Sequence, residues 1–190
     1  MTATQSKLTT VLIEEHRMIE SGLVVLARFA AHIRRGGEPH PEVIDALLRF
    51  FSEFVEGVHQ GKEEELLLPW MTRTGIPSEI GPLHRFQEDH QHLRDLFRHL
   101  SAMARHAELV DQDAQSFSRQ AEELCLAYSR HMRREEESLF PMAEQLAEGS
   151  DGLFSWEEGL TQTMHQEHGE LLRHLEHAAE AWPIEDVRWH

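Results

Sequence analysis

The sequence predicts an all-α protein, an antiparallel four-helix bundle with an additional fifth helix at its C-terminal end. Glycine and proline are confined to a few clusters, and the segments between them space apolar residues by three or four positions, as helices do. In addition, one phrase occurs twice: residues 59–69 read HQGKEEELLLP, and residues 131–141 read HMRREEESLFP. Each phrase has a histidine, a base, three glutamates and a proline at the same positions.

Each helix is predicted from an apolar stripe bounded by glycine or proline. The expected spans are about 7–35, 41–71, 82 onward, 113–147 and 155–182. Pro41 and Pro82 suit the first position of helices two and three, because the missing backbone N–H is not needed there. Pro69 and Pro141 lie near the ends of helices two and four, and we expect them to kink or stop these helices.

The length of 190 residues and the apolar content of 40% predict one domain with a sizeable core. We expect this domain to cover residues 1–182, with the four-helix core at about 8–147, the fifth helix at about 155–182 and a tail at 183–190. Ser155 and Glu158 have the spacing of a capping box at the start of the fifth helix.

Composition excludes several classes of function. The formal charge of −16 disfavours nucleic acid and anionic membranes as partners, since both would be repelled. The sequence has no apolar run of about 18 residues, which is the length that a transmembrane helix needs. Its first residues do not have the pattern of a secretory signal. The single cysteine, Cys125, excludes an internal disulfide and a cysteine-based metal site. We therefore expect a cytoplasmic protein.

The repeated phrase belongs to a larger repeat of two helical hairpins. An acid followed by histidine lies on the first helix of each hairpin, at 15–16 and at 89–90, and a His-x-x-x-Glu motif lies on the second. Positions four apart share one face of a helix, so each motif offers an imidazole and a carboxylate to one point. The inner stripes thus carry six donors, His16, His59, Glu63, His90, His131 and Glu135.

These donors predict a metal site inside the bundle. Two carboxylates in an apolar interior cost several kcal/mol each without a counter-charge, and no lysine or arginine falls on the inner stripes at that depth. Imidazole and carboxylate together suit iron, zinc or manganese, and two carboxylates among four imidazoles suggest two bridged ions. The remaining glutamates of the two phrases, Glu64, Glu65, Glu136 and Glu137, are expected on solvated faces.

The order H…HxxxE…H…HxxxE and the two E-x-L-[LF]-P endings make residues 8–147 resemble the hemerythrin-like (HHE cation-binding) family. This family folds as a four-helix bundle around a non-haem di-iron site. The resemblance implies two iron ions, oxo- or hydroxo-bridged, with zinc or manganese as alternatives. It implies terminal ligands at His16, His59, His90 and His131 and bridging carboxylates at Glu63 and Glu135.

Two departures separate the chain from the oxygen-carrying members that it resembles. Those members have a further histidine one turn before the ligand on helix three, where this chain has Phe86. Their last motif spaces histidine and aspartate by five positions, whereas His131 and Glu135 here are four apart. The resemblance therefore favours the four-histidine, two-glutamate members, which are linked to iron–sulfur repair, nitric oxide or peroxide handling and iron sensing.

Two further residues have alternative interpretations. His168 lies on the stripe of the fifth helix and either restores a fifth histidine ligand or is a buried histidine of a capping helix. Tyr128, one turn before His131, either donates a hydrogen bond to a ligand or to a bound oxygen species, or is an aromatic residue of the core.

We expect a di-iron protein that binds or reacts with dioxygen, peroxide or nitric oxide, in sensing, stress response or iron handling. An enzyme with catalase-like or nitric oxide-reducing activity, and a structural metal-binding bundle without a redox role, are the alternatives. The partner is a small diatomic or peroxide molecule in the first two cases.

Overall fold

The computed structural model describes residues 8–106, 111–148 and 158–182, and over these ranges the chain forms five helices and no strand. Helix α1 spans Leu8–Arg34, α3 spans Pro82–His106 and α5 spans Glu158–Ala179. Helix α2 consists of Pro41–Arg49, the π-helical segments Phe50–Gln60 and Glu63–Leu67, and Leu68–Arg73. Helix α4 consists of Asp111–Arg134, the π-helical segment Glu135–Leu139, and Phe140–Glu148. The prediction of an all-α bundle with a fifth helix is confirmed.

The predicted tail at 183–190 and Ser155 of the predicted capping box lie outside the described residues. The assignment of residues 1–182 to a single domain stays a prediction. None of the described helices is long and apolar enough to cross a membrane.

Pro69 and Pro141 lie within α2 and α4, which continue past them, so of the two predicted alternatives, a kink or a stop, the stop is wrong. Each proline lies just beyond a π-helical turn, Glu63–Leu67 in α2 and Glu135–Leu139 in α4. The residue before each proline donates its backbone N–H to the carbonyl five positions back. This wider turn makes room for the proline ring, which would otherwise collide with the preceding turn.

The helices pack so that α5 lies on only part of the bundle. Helix α1 contacts α2, α4 and α5, helix α3 contacts α2 and α4, and α5 runs along α1 and α2. The fifth helix therefore covers the first hairpin of the repeat.

The core has two apolar layers. One layer includes Ile19, Val55 and Leu93, and the other includes Leu12 and Leu67. The histidines and glutamates of the inner stripes lie between these residues along each helix, so they form a polar layer with apolar layers on both sides. The single cysteine, Cys125, is fully buried in the larger apolar layer.

Gly22 marks the close contact between α1 and α2. A Cβ atom at this position would overlap the ring of Phe50, which is itself fully buried. Only a glycine lets the two helices approach this closely without displacing the phenylalanine.

We expect Gly22→Ala to lower the free energy of unfolding by about 1–3 kcal/mol, because the added methyl group overpacks the contact with Phe50. Urea denaturation measures this change. Gly169→Ala in α5 is the matched control, since nothing lies within 4 Å of a Cβ atom there. It should raise the stability by about 0.5–1 kcal/mol through helix propensity. Equal effects of the two substitutions would contradict the packing account.

Candidate metal centre

Four imidazoles and two carboxylates meet in the polar layer, from all four helices of the bundle. They are His16, His59, Glu63, His90, His131 and Glu135, and each is at most 2% exposed. Glu135 has one oxygen 2.9 Å from Nε2 of His131 and the other 3.3 Å from Nε2 of His16. Glu63 Oε2 lies 3.2 Å from Nε2 of His90 and 3.8 Å from Nε2 of His59. All six residues that the sequence singled out are thus brought together.

These side chains form two overlapping groups, each with ligand atoms within 4.8 Å of one another. One group has His16 and His59, the other has His90 and His131, and both include Glu63 and Glu135. The ring centroids within the two histidine pairs are 4.8 Å and 4.7 Å apart, so the two groups have nearly the same dimensions. This arrangement has two places for a cation and two carboxylates common to both.

The inward-facing atoms have unmet bonding capacity. Nε2 of each of the four histidines and both oxygens of Glu63 and Glu135 have no hydrogen-bond partner among the described residues, because their mutual contacts lack hydrogen-bond geometry. Burying such atoms without partners costs several kcal/mol each, and a cation at their meeting point would offset that cost. Imidazole nitrogens and carboxylate oxygens are ligands for first-row divalent metals. The residues present therefore fit a metal site.

The pKa values reflect the same crowding of charge. Burial alone would raise the pKa of Glu135, but His131, His16 and His90 hold it well below its usual value. Burial alone would lower the pKa of His90, but Glu135, Glu63 and Glu64 raise it well above its usual value. His90 and Glu135 thus favour a protonated imidazole beside an ionised carboxylate, and a metal in the place of such a proton would release it on binding.

A second set of carboxylates surrounds the centre and faces the outer nitrogen, Nδ1, of each histidine. The pairs and Nδ1–oxygen distances are His16–Glu136 at 2.8 Å, His90–Glu64 at 2.8 Å, His59–Glu15 at 3.1 Å and His131–Asp89 at 3.8 Å. A carboxylate on Nδ1 holds the proton on that nitrogen and leaves Nε2 free for a metal, and such partners also orient the ring.

This arrangement corrects the prediction for two of the glutamates. Glu64 and Glu136 do not lie on a solvated face but contact His90 and His16 on neighbouring helices. The hydrogen bond from His90, reinforced by Arg94, lowers the pKa of Glu64 to about 2 despite its partial burial. Their neighbours Glu65 and Glu137 are exposed, as predicted.

The base of each repeated phrase supports the acid that precedes a histidine on another helix. Lys62 forms an ion pair with Glu15, and Arg134 Nη2 lies 2.8 Å from Asp89 Oδ2. The prediction that no lysine or arginine occupies the inner region is wrong for Lys62, which is only 5% exposed. The spacing of the phrase thus places three features close together on one helix. They are a candidate metal ligand, the base that pairs with an acid of another helix, and a glutamate that contacts the histidine of another helix.

Glu15 is the residue that sequence reasoning missed most clearly. It is fully buried and accepts hydrogen bonds from Nδ1 of His59, from Lys62 and from Nε2 of His165 in α5, the last at 2.6 Å. Burial would raise its pKa, but the hydrogen bonds from His165 and His59 and the charge of Lys62 hold it well below the usual value. The only sequence signal was the acid that precedes histidine in both hairpins.

His168 lies outside both groups. Its Nδ1 donates to the carbonyl of Met164 at 2.9 Å, and its Nε2 is 3.6 Å from Glu53 Oε2. Its ring packs against Phe54, with centroids 5.3 Å apart. The geometry therefore favours a buried histidine of a capping helix over a fifth ligand.

Tyr128 and Phe86 lie beside the His131 side of the centre. Tyr128 is 1% exposed, and its hydroxyl has no hydrogen-bond partner among the described residues. Burial raises its pKa, so the hydroxyl keeps its proton and can donate it in a hydrogen bond. The ring of Phe86 lies 6.2 Å from that of His131, so an apolar side chain lies beside this imidazole.

A family model described as "Hemerythrin HHE cation binding domain" matches residues 7–143 and, in a second match, residues 81–189. The two matches overlap on α3 and most of α4. No curated protein and no solved structure matches the chain.

We expect Glu136→Ala to weaken metal binding about 10- to 100-fold, because His16 loses the carboxylate that orients its ring. Equilibrium titration with ferrous iron under anaerobic conditions measures the affinity. Glu137→Ala is the matched control, since this neighbouring glutamate is exposed and pairs with Arg133. An equal loss of affinity in both variants would mean that general surface charge, not support of His16, governs binding.

Proposed function

The chain belongs to the hemerythrin HHE cation-binding domain family, and from that premise we propose that it binds two iron ions in its polar layer and reacts with a small oxidant. The observation that carries the proposal is the pair of overlapping donor groups that share Glu63 and Glu135. When bound, the iron pair supplies electrons and open coordination positions to a molecule such as dioxygen, peroxide or nitric oxide.

In this proposal each hairpin holds one ion. His16 and His59 would bind the first through Nε2, and His90 and His131 the second. Glu63 and Glu135 would bridge the two, because both groups contain both carboxylates. Helical bundles often hold iron as a pair of ions bridged by carboxylates. Structural zinc sites instead have four protein ligands, usually including cysteine, and no free position.

The number of protein donors favours reaction over reversible carriage. Two imidazoles and two shared carboxylates would hold each ion, so that the protein donors would not occupy every position on the iron. Phe86 fills the place of a fifth histidine with an apolar ring and so adds no donor on the His131 side. A reactive or sensing centre follows from these open positions.

The protein side chains around the centre control what reaches it. The ring of Phe140 stacks on His16, with centroids 5.5 Å apart, and with Phe86 it keeps the surroundings apolar. Tyr128, one helical turn from His131, is the nearby neutral donor proposed to hydrogen-bond a small oxidant held in the site. Glu136, Glu15 and Glu64 accept hydrogen bonds from Nδ1 of His16, His59 and His90, and so keep those imidazole protons away from the reacting region.

A sensing, stress-response or iron-handling role is the biological context that we propose. Metal binding and stability are coupled when ligands from different helices meet only in the folded chain. Loss or oxidation of the metals would therefore change the stability of the bundle, and a partner protein would recognise that change.

We expect about two iron ions per chain after anaerobic loading, one for each donor group. Glu63→Ala or His131→Ala should reduce the content to one or fewer, because each removes a donor from the centre. Metal analysis by plasma mass spectrometry measures the content. His168→Ala is the control, since this buried histidine lies outside both groups and should leave two ions bound. Unchanged iron content in both ligand variants would refute the site.

Peroxide distinguishes a sensor from an enzyme. Added to the ferrous protein, it should cause one stoichiometric oxidation with the appearance of oxo-bridged di-iron absorption, followed in an anaerobic spectrophotometer cell. Sustained release of dioxygen over many turnovers would instead support catalase-like activity. Absence of any spectral change would favour the structural bundle without a redox role.

A further inference from the structure

The outer supports of the two donor groups are unequal. On one side Glu15 is fully buried and holds Nδ1 of His59 at 3.1 Å, with Lys62 and His165 as further partners. On the other side the nearest oxygen of Asp89 is 3.8 Å from Nδ1 of His131, which is too long for a hydrogen bond. Three of the four histidines thus have a hydrogen-bonded Nδ1, and His131 does not.

Helix α5 adds to this inequality. It packs along α1 and α2, where His165 caps Glu15 with a hydrogen bond of 2.6 Å. His165 is itself about one-quarter exposed, so it closes the outer side of the His59 support against solvent. The two-fold repeat of the sequence contains no counterpart of α5 for the second hairpin within the described residues.

The second hairpin has an opening in the corresponding place. A cleft of about 520 Å³ lies between α3 and α4, and its lining includes Asp89, Ala127, Arg130 and His131. His131, whose Nδ1 lacks a hydrogen bond, is thus one of its lining residues. Small solutes in this cleft would lie next to His131, whereas on the His59 side His165 of α5 covers Glu15.

We propose that the two metal positions differ in function: the His16/His59 position retains its ion, and the His90/His131 position exchanges its ion through the α3/α4 cleft. His165 is the positioning residue that makes the difference, acting through Glu15. This inference rests on the proposed function, because it requires that both positions bind metal. It adds that the ion at the His90/His131 position would leave before the ion at the His16/His59 position.

The physical basis is the effect of an outer hydrogen bond on a metal-bound imidazole. A carboxylate on Nδ1 fixes the ring and raises its basicity, and removing such a partner typically costs about 10- to 100-fold in metal affinity. The partner of His59, Glu15, is buried and is also held by Lys62 and His165. The partner of His131, Asp89, is more distant, and a cleft lies beside it. Tighter binding by His59 and slower access of solutes would both slow the release of the ion from the His16/His59 position.

The test is the release of iron to 2,2′-bipyridine, an uncharged ferrous chelator, from anaerobically loaded protein. The wild type should release iron in two phases of equal amplitude. His165→Ala should speed the slow phase about 10- to 100-fold and leave the fast phase unchanged, because Glu15 loses its cap. His165→Gln, which can still donate to Glu15, should restore much of the slow phase.

Two further variants make the test specific. His174→Ala, an exposed histidine of the same helix, should leave both phases unchanged. Ala127→Met should narrow the cleft and slow only the fast phase. Thermal unfolding of the metal-free variants checks that each is folded.

The outcomes separate this inference from the proposed function. If two ions bind but leave in a single phase, or if His165→Ala speeds both phases equally, the inequality is refuted and the di-iron proposal stands. A fast phase unchanged in folded Ala127→Met would overturn the cleft as the exchange route. If fewer than two ions bind to the wild type, both proposals fail.

Discussion

The structure depends on the burial of two carboxylates, Glu63 and Glu135, at the centre of a helical bundle. Both are fully buried between two apolar layers, and their oxygens have no hydrogen-bond partner among the described residues. Folding must offset several kcal/mol for each of them, and in our proposal metal held with the four surrounding imidazoles does so. A bundle built for stability alone would place apolar residues at these positions.

The surrounding residues are arranged to keep these imidazoles in place. Each histidine faces a glutamate of the centre through Nε2 and an outer carboxylate through Nδ1, and two of the outer acids are in turn clamped by Lys62 or Arg134. Every fixed polar position of the repeated phrase except the third glutamate thus has a structural role. The third glutamate of each phrase, Glu65 or Glu137, is exposed on the surface of the bundle.

The sequence predicted the helices and the six central residues because both depend on spacing along one helix. It failed where contacts join different helices. Glu64 follows Glu63 by one residue, which turns it about 100° around the helix and toward His90 on α3, and no periodicity reveals that neighbour. The role of His165 depends on how α5 packs against α1, which the apolar stripe of α5 does not specify. The π-helical turns before the prolines were missed because they change the backbone path without changing the hydrophobic pattern.

The repeat is symmetric in sequence, but in the part of the chain that the structure describes the fifth helix packs mainly on the first of the two hairpins. The central claim is that the two overlapping donor groups each bind one iron ion between shared carboxylates. A crystal structure of the iron-loaded protein, with anomalous difference maps recorded at the iron edge, tests it most directly. We predict two peaks, one beside Nε2 of His16 and His59 and one beside Nε2 of His90 and His131, both in contact with Glu63 and Glu135. A single peak, or peaks away from these six residues, would contradict the account.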